Sequence, residues 1–206
     1  MRIIAGKHRG RTILGPKDAN TTRPITDRVK TALFDRLCHS YHLLGPDEGG
    51  RVLDVFAGTG SMGLEALSRG AEEAVFVEQD REALRRLNKN LADLGEKDRA
   101  EVLRVSALHA TWVLQLPRRF HGSVRVAFVD PPYRMLEGEG WSKLEPLFEA
   151  IAEVAEPGGA MVLRTEKRQD IAPVAGWGEP ETYRYGSMKL HFFVRPGAGE
   201  QAADVE

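Results

Sequence analysis

From Arg51 onward the chain alternates short apolar runs with amphipathic segments. The runs cover 52–56, 74–77, 102–105, 124–129 and 160–163, and the segments between them cover 62–68, 81–94, 108–116 and 144–155. Strands buried on both faces need such runs, and the intervening segments can supply the covering helices; in the second of them Leu84, Leu87, Leu91 and Leu94 share one side. The order predicts an α/β fold with a doubly wound, mostly parallel sheet. The last stretch alternates Tyr183, Tyr185, Met188, Leu190, Phe192 and Val194 about Gly186, which predicts an antiparallel hairpin at the sheet edge. Upstream, Val29, Ala32, Leu33 and Leu37 recur at helical spacing, predicting a helix from about 27 to 42 with Thr26 or Asp27 as N-cap. Residues 2–5 and 11–14 are β-prone arms joined through a basic tip, a short N-terminal β-hairpin extension. The expected organisation is a hairpin and connector over 1–26, a main domain over 27–196 and a polar, disordered tail over 197–206.

Between the first run and the first segment stands Val52-Leu-Asp-Val-Phe-Ala-Gly-Thr-Gly-Ser-Met-Gly63, a strand entering a glycine-rich turn at a helix start. Gly58, Gly60 and Gly63 satisfy the dinucleotide spacing, and Glu78 stands at the end of the next strand, where an acid binds ribose hydroxyls. Spacing alone therefore allows NAD and an oxidoreductase. Asp54 argues against it, because a carboxylate there would face the pyrophosphate that such a loop cradles. S-adenosylmethionine carries an ammonium and a sulfonium instead of phosphate, and the same carboxylate attracts it. The blander alternative is that Asp54 caps the following turn and the glycines serve only tight packing.

The second constellation, Val126-Ala-Phe-Val-Asp-Pro-Pro-Tyr133, follows another apolar strand. An exocyclic amine on a purine is a weak nucleophile, since its lone pair is delocalised into the ring; it must be oriented by acceptors. Asp130 is such an acceptor, while Pro131 and Pro132 fix φ and remove two donors, leaving carbonyls as further acceptors. Tyr133 offers a face on which an extruded base can stack. Methyl transfer by in-line displacement needs no metal and no covalent nucleophile. Residues 134–141 hold two glycines and Trp141, as a lid or a plain loop would.

Charge is segregated. Residues 1–30 carry eight basic side chains, among them Arg2, Lys7, Arg9, Arg11 and Arg23, against Asp18 and Asp27, for a net +6 within a chain of net −1. A polyanion can dock there, although a basic run also serves merely to solvate a hairpin. The 206 residues suit one well-buried domain. The lone Cys38 excludes an internal disulfide or a cysteine-based zinc site, and the six histidines show no metal-ligand spacing. With no signal-peptide core and no apolar stretch of spanning length, a cytoplasmic protein without membrane association is expected.

At the Asp130 to Tyr133 motif the chain is similar to class I methyltransferases that modify amino nitrogens of adenine, guanine or glutamine. More specifically, residues 1–11, Thr22-Arg-Pro-Ile-Thr-Asp-Arg-Val-Lys-Thr-Ala-Leu-Phe34, the glycine loop with Gly63-Leu-Glu-Ala-Leu-Ser-Arg-Gly-Ala71, and Asp130 to Tyr133 together resemble the bacterial RsmD family of small-subunit ribosomal RNA guanine-N2 methyltransferases. The resemblance runs from Met1 to about Pro196 and implies a Rossmann-like seven-stranded sheet. It implies that Asp54, Phe56, Gly58, Gly60, Glu78, Gln79, Ser106 and Ala107 hold S-adenosylmethionine, that Asp130, Pro131, Pro132 and Tyr133 hold the base, and that residues 22–26 pack beside the cofactor. Ser106 departs from the family's usual acid for the adenine amino group, leaving the backbone of Ala107 as a contact. The implied substrate is 16S ribosomal RNA in an assembling 30S particle, gripped through the basic hairpin, with the enzyme a monomer. A DNA adenine-N6 enzyme and a protein-glutamine methyltransferase stand as alternatives.

Overall fold

The computed structural model describes residues 1–17, 25–45, 47–136, 140–169 and 171–197. The chain divides into two compact units, Met1–Ala107 and Leu108–Glu206. Its seven strands follow the order β3-β2-β1-β4-β5-β7-β6 in one sheet.

In the first unit, α1 (Asp27–His39) is capped by the Thr26 side chain, which accepts from the Val29 amide. β1 (Arg51–Val55), β2 (Glu73–Val77) and β3 (Ala100–Leu103) pair in parallel, Val52 beside Ala74 and Val75 beside Glu101. Between them run α2 (Ser61–Arg69) and α3 (Arg81–Leu94), the latter capped by Asp80 and buried along Leu84, Leu87, Leu91 and Leu94. The first and third helices and the first three strands thus match the apolar periodicity closely, with α1 ending three residues early.

The N-terminal arms pair antiparallel through a single bridge, Arg2 with Thr12, and the tip is a 3-10 turn over Gly6–His8. Around that bridge the Ile3 amide donates to the Arg11 carbonyl, the Ile13 amide to the Met1 carbonyl and the Gly10 amide to the Ile3 carbonyl, while other groups of the arms bond elsewhere. The amides of Ile4 and Ala5 donate to the Glu65 carboxylate at 2.8 and 3.0 Å, the His8 amide donates to Ser68 Oγ, and Leu14 exchanges two bonds with the Asn90 side chain. The arms are therefore bound to α2 and α3.

Glu65 is fully buried and also meets Lys30 Nζ at 3.2 Å and Arg69 Nε at 2.9 Å. Burial pushes the Lys30 ammonium below its ordinary range, and the Glu65 charge opposes that shift. A carboxylate with two backbone and two cationic donors is satisfied in a place where an unpaired charge would be prohibitive. At the tip, buried His8 lies 2.5 Å from buried Glu96. Burial raises the Glu96 carboxyl, but bonds from His8, Arg99 and Lys7 outweigh it and hold the group low.

In the second unit, β4 (Val124–Val129) pairs in parallel with β5 (Ala155–Glu166), and α4 (Gly140–Val154) precedes β5. β5 is far longer than the expected run at 160–163. A register shift between Val124 and Val126 absorbs Glu156-Pro-Gly-Gly159, a stretch whose composition reads as a turn. β7 (Met188–Val194) pairs antiparallel with β5 and with β6 (Glu181–Tyr185), the expected terminal hairpin. The helix expected over 108–116 is instead a 3-10 segment, Ala110–Gln115. Thr111, Trp112 and Val113 are poor helix formers, and Pro117 prevents continuation. His191, buried on β7, lies between the Thr165 and Thr182 hydroxyls at 2.9 and 2.8 Å, and burial pushes its imidazole down to about 4.

Replacing Glu65 with Ala removes the shared acceptor and leaves Lys30 buried beside Arg69. The expected cost is about 3–5 kcal/mol, read as a lowered urea midpoint at unchanged slope.

Candidate cofactor loop and base-recognition site

The glycine loop begins where β1 ends. Phe56 adopts a left-handed conformation (φ 61°), followed by Gly58 (φ 56°) and Gly60 (φ 83°). A bulky residue at positive φ stores strain, which is held here by the bonds from the Ala57 amide to the Val77 carbonyl and from the Gly60 amide to the Ala57 carbonyl. At Gly63 space decides: a Cβ would lie 2.4 Å from Phe76 Cε1, so this glycine lets α2 pack directly on β2. Asn90 Nδ2 on α3 donates to the Thr59 carbonyl at 2.9 Å, tying the loop to the helix that also holds Leu14.

Asp54, almost wholly buried, accepts the Gly63 amide at 2.8 Å through Oδ2. It therefore does cap the helix start, as the packing alternative required. The capping and the ligand preference are one fact. The α2 terminus already holds an anion on its Gly63 amide, and that negative charge disfavours a dinucleotide phosphate there. It fits a cofactor that brings positive charge.

Glu78, after β2, accepts the Gly58 amide at 2.8 Å through Oε2 and the Gln79 and Asp80 amides at 2.7 and 2.8 Å through Oε1. Three donors fix the carboxylate against the loop, and its lone-pair sites leave capacity for a ribose hydroxyl. Gln79 is exposed beside it, while Ser106 is half-buried and Ala107 buried just beyond β3. Thus Asp54 stands near the end of β1, and Phe56, Gly58, Gly60, Glu78, Gln79, Ser106 and Ala107 fall on the loops that leave β1, β2 and β3.

In the second unit, Asp130 directly follows β4, Pro131 is buried, and Tyr133 opens a 3-10 turn, Tyr133–Met135. Asp130 Oδ1 accepts Arg164 Nε at 2.6 Å, and the Arg164 guanidinium lies 5.7 Å from the Tyr133 ring centroid. Burial pushes the Asp130 carboxyl up from its ordinary range, opposed by the charge and hydrogen bond of Arg164. Sequence reading missed Arg164, which sits inside an apolar strand. No pattern in the sequence marked it; the register that sets Leu163 beside Val129 carries Arg164 toward the residue after β4.

Next to this site, Leu136 is buried and Trp141 packs on Phe148 of α4 with ring centroids 5.4 Å apart. Trp141 is thus half-buried, not exposed as a lid aromatic would be; residues 137–139 lie outside the described residues. So do Arg23, residues 22–24 of the stretch expected beside the cofactor, and residues 198–206 of the tail.

Of the basic N-terminal residues, Arg2 pairs with Asp27 at 2.7 Å, Lys7 with Glu96 at 3.3 Å, and Arg11 donates to the Asp93 carbonyl. Arg9 is exposed and, among the described residues, has no ion-pair partner. Among the described residues no cluster of metal-ligating side chains occurs, and no helix is long and apolar enough to cross a membrane.

The sequence profile of the family described as "Conserved hypothetical protein 95" matches residues 1–194. The chain belongs to that family. It is 33% identical to the Escherichia coli K12 protein named "Ribosomal RNA small subunit methyltransferase D", over 99% of this chain and 94% of that one. It is 34% identical to the Bacillus subtilis "Putative rRNA methyltransferase YlbH", over 85% and 88%. Among solved structures, a "Putative methyltransferase yhhF" from Escherichia coli superposes with TM-score 0.73 at 30% identity, covering 95% of this chain and 98% of that one. A hypothetical protein of Thermus thermophilus gives 0.72 at 32% identity, covering 93% and 98%. The RsmD-family resemblance read from the motifs is borne out, as is the class I methyltransferase fold with its antiparallel terminal strands.

Asp54→Ala leaves the buried Gly63 amide without its acceptor and is expected to cost about 1–3 kcal/mol. Asp54→Asn, which keeps an acceptor oxygen, is expected to lose less than half of that in the same denaturant titration.

Proposed function

We propose that the protein is an S-adenosylmethionine-dependent methyltransferase acting on the N2 amino group of a guanine in small-subunit ribosomal RNA, within an assembling particle. The observation that carries the cofactor assignment is the bond from the Gly63 amide to Asp54, which seats the protein's own anion where a nucleotide phosphate would bind. The nucleic-acid substrate draws support from the names of the relatives and from the basic N-terminal segment. An NAD-dependent oxidoreductase is disfavoured by Asp54 on the same grounds.

When bound, S-adenosylmethionine supplies an electrophilic methyl group on a sulfonium. Asp54, Phe56, Gly58, Gly60, Glu78, Gln79, Ser106 and Ala107 are the residues that would hold it, with Glu78 serving the ribose and the Ala107 backbone the adenine. Asp130 would accept a hydrogen bond from the amino group, orienting the nitrogen lone pair, and would take up the N–H proton released as positive charge grows on the nitrogen. Tyr133 stacks against the extruded base, and Pro131 and Pro132 keep that corner rigid and free of competing donors.

RNA docking falls to Arg2, Lys7, Arg9, Arg11 and Arg23. The pairs made by Arg2 and Lys7 involve side chains 62% and 65% exposed. The Arg2–Asp27 pair is exposed on both sides and so weak and readily exchanged for a phosphate contact, whereas Lys7 meets the buried Glu96 carboxylate, which His8 and Arg99 also bind. Arg9 can meet a phosphate without breaking an ion pair among the described residues.

Four measurements test this reading. Isothermal titration is expected to show binding of S-adenosylhomocysteine and none of NAD. Asp130→Ala is expected to abolish methyl transfer to small-subunit particles while leaving that titration nearly unchanged; equal loss of both would remove Asp130 from the acceptor site. Arg9→Ala is expected to weaken RNA association and flatten its log–log salt slope by about 0.7–0.9. Nucleoside mass mapping of the product distinguishes guanine N2 from adenine N6, and transfer to protein instead of RNA would indicate glutamine.

A further inference from the structure

We propose that Arg164 is the positioning residue of the base-recognition site: its guanidinium fixes Oδ1 of Asp130 and packs over Tyr133, so that Oδ2 of an anionic carboxylate is presented to the amino group. The proposal deepens the reading above and rests on it. Nothing in the Asp-Pro-Pro-Tyr motif itself calls for an arginine four residues into an apolar stretch of β5.

The placement comes from register. Leu163 stands beside Val129, the last residue of β4, and the next residue of each strand is Arg164 and Asp130. On the other side, Arg164 is opposite Leu190 of β7, an apolar neighbour that offers no competing acceptor from its side chain. Arg164 is 8% exposed, so its charge was taken from water and needs a fixed partner. Asp130 supplies it at 2.6 Å, with 30% of its side chain still open. Among the described residues Oδ2 of Asp130 has no hydrogen-bond partner.

The charged groups around Asp130 leave Arg164 as the one that acts on it. Arg134, on the turn after Tyr133, is exposed. Lys189 on β7 donates to the Gln169 carbonyl. Arg164 alone provides charge and a hydrogen bond to Asp130 against the burial that favours its neutral form.

The chemical consequence is specific. A protonated Asp130 could donate to the base, and it would turn away the amino group that must be held. An anionic one is an acceptor only. Fixing one oxygen removes rotation about the carboxyl, so the other keeps a constant direction relative to the stacked base. A planar guanidinium can bind the carboxylate and lie against Tyr133 at once, which a lysine ammonium cannot.

The test uses the full-length protein, pH profiles of kcat and KM on small-subunit particles, and a titration of the Asp130 carboxyl by 13C NMR without RNA, assigned with Asp130→Asn. Because transfer needs the anionic form, activity falls as pH drops through the titration of Asp130. Without Arg164 the loss must begin at higher pH. For Arg164→Gln, activity relative to the unmodified protein is expected to be roughly tenfold lower at pH 6 than at pH 8.5, with the NMR midpoint moved upward. Arg164→Lys is expected to keep the acidic limb near its original place but lower kcat at unchanged KM, since charge is kept and geometry lost. Coincident NMR midpoints, a loss equal at every pH, or an Arg164→Lys protein of undiminished kcat would overturn the proposal. If the unmodified protein methylates no ribosomal RNA, the functional reading fails, and the NMR midpoints alone decide the pairing.

Discussion

The buried carboxylate of Glu65 is the point on which the first unit depends. Four donors from three stretches of chain converge on it: the amides of Ile4 and Ala5, Lys30 from α1, and Arg69 one turn along its own helix. None of these groups could be buried alone at tolerable cost, so each makes the others' positions obligatory. The helix that carries Glu65 is the one whose first turn closes the glycine loop. A polar knot in the core thereby fixes the start of α2, while Asn90 reaches from α3 to the same loop and to Leu14.

Apolar periodicity made the scaffold legible. Runs at 52–56, 74–77 and 124–129 coincide with β1, β2 and β4 within a residue, because strands covered on both faces leave little freedom in composition. The glycine loop and the Asp-Pro-Pro-Tyr corner were legible as well, each being a local conformation written in adjacent residues. What stayed hidden was long-range. Arg164 directly follows the apolar run 160–163 and comes beside Asp130 only through register, and nothing in the neighbours of Glu65, Lys30 and His8 marks them as buried. Charge pairs separated by tens of residues leave no periodic trace in sequence.

The N-terminal segment shows the same limit from the other side. Its β-prone arms pair around one bridge, and further amides of the arms are taken by the buried Glu65 of α2 and by Asn90 of α3. The basic residues on these arms are consequently displayed from a fastened surface. An array of cations held in register costs less ordering entropy on meeting a polyanion than a free arm would.

The Asp54 cap has a bearing on competition inside a cell. Free nucleotides are abundant in cells, and their phosphates seek helix N-termini. Here that seat is filled by a side chain joined to the chain itself, so no concentration of free nucleotide can outcompete it without unfolding the strand end that carries it. A bias against phosphate at this helix start is therefore present before any ligand arrives, as a property of the folded polypeptide.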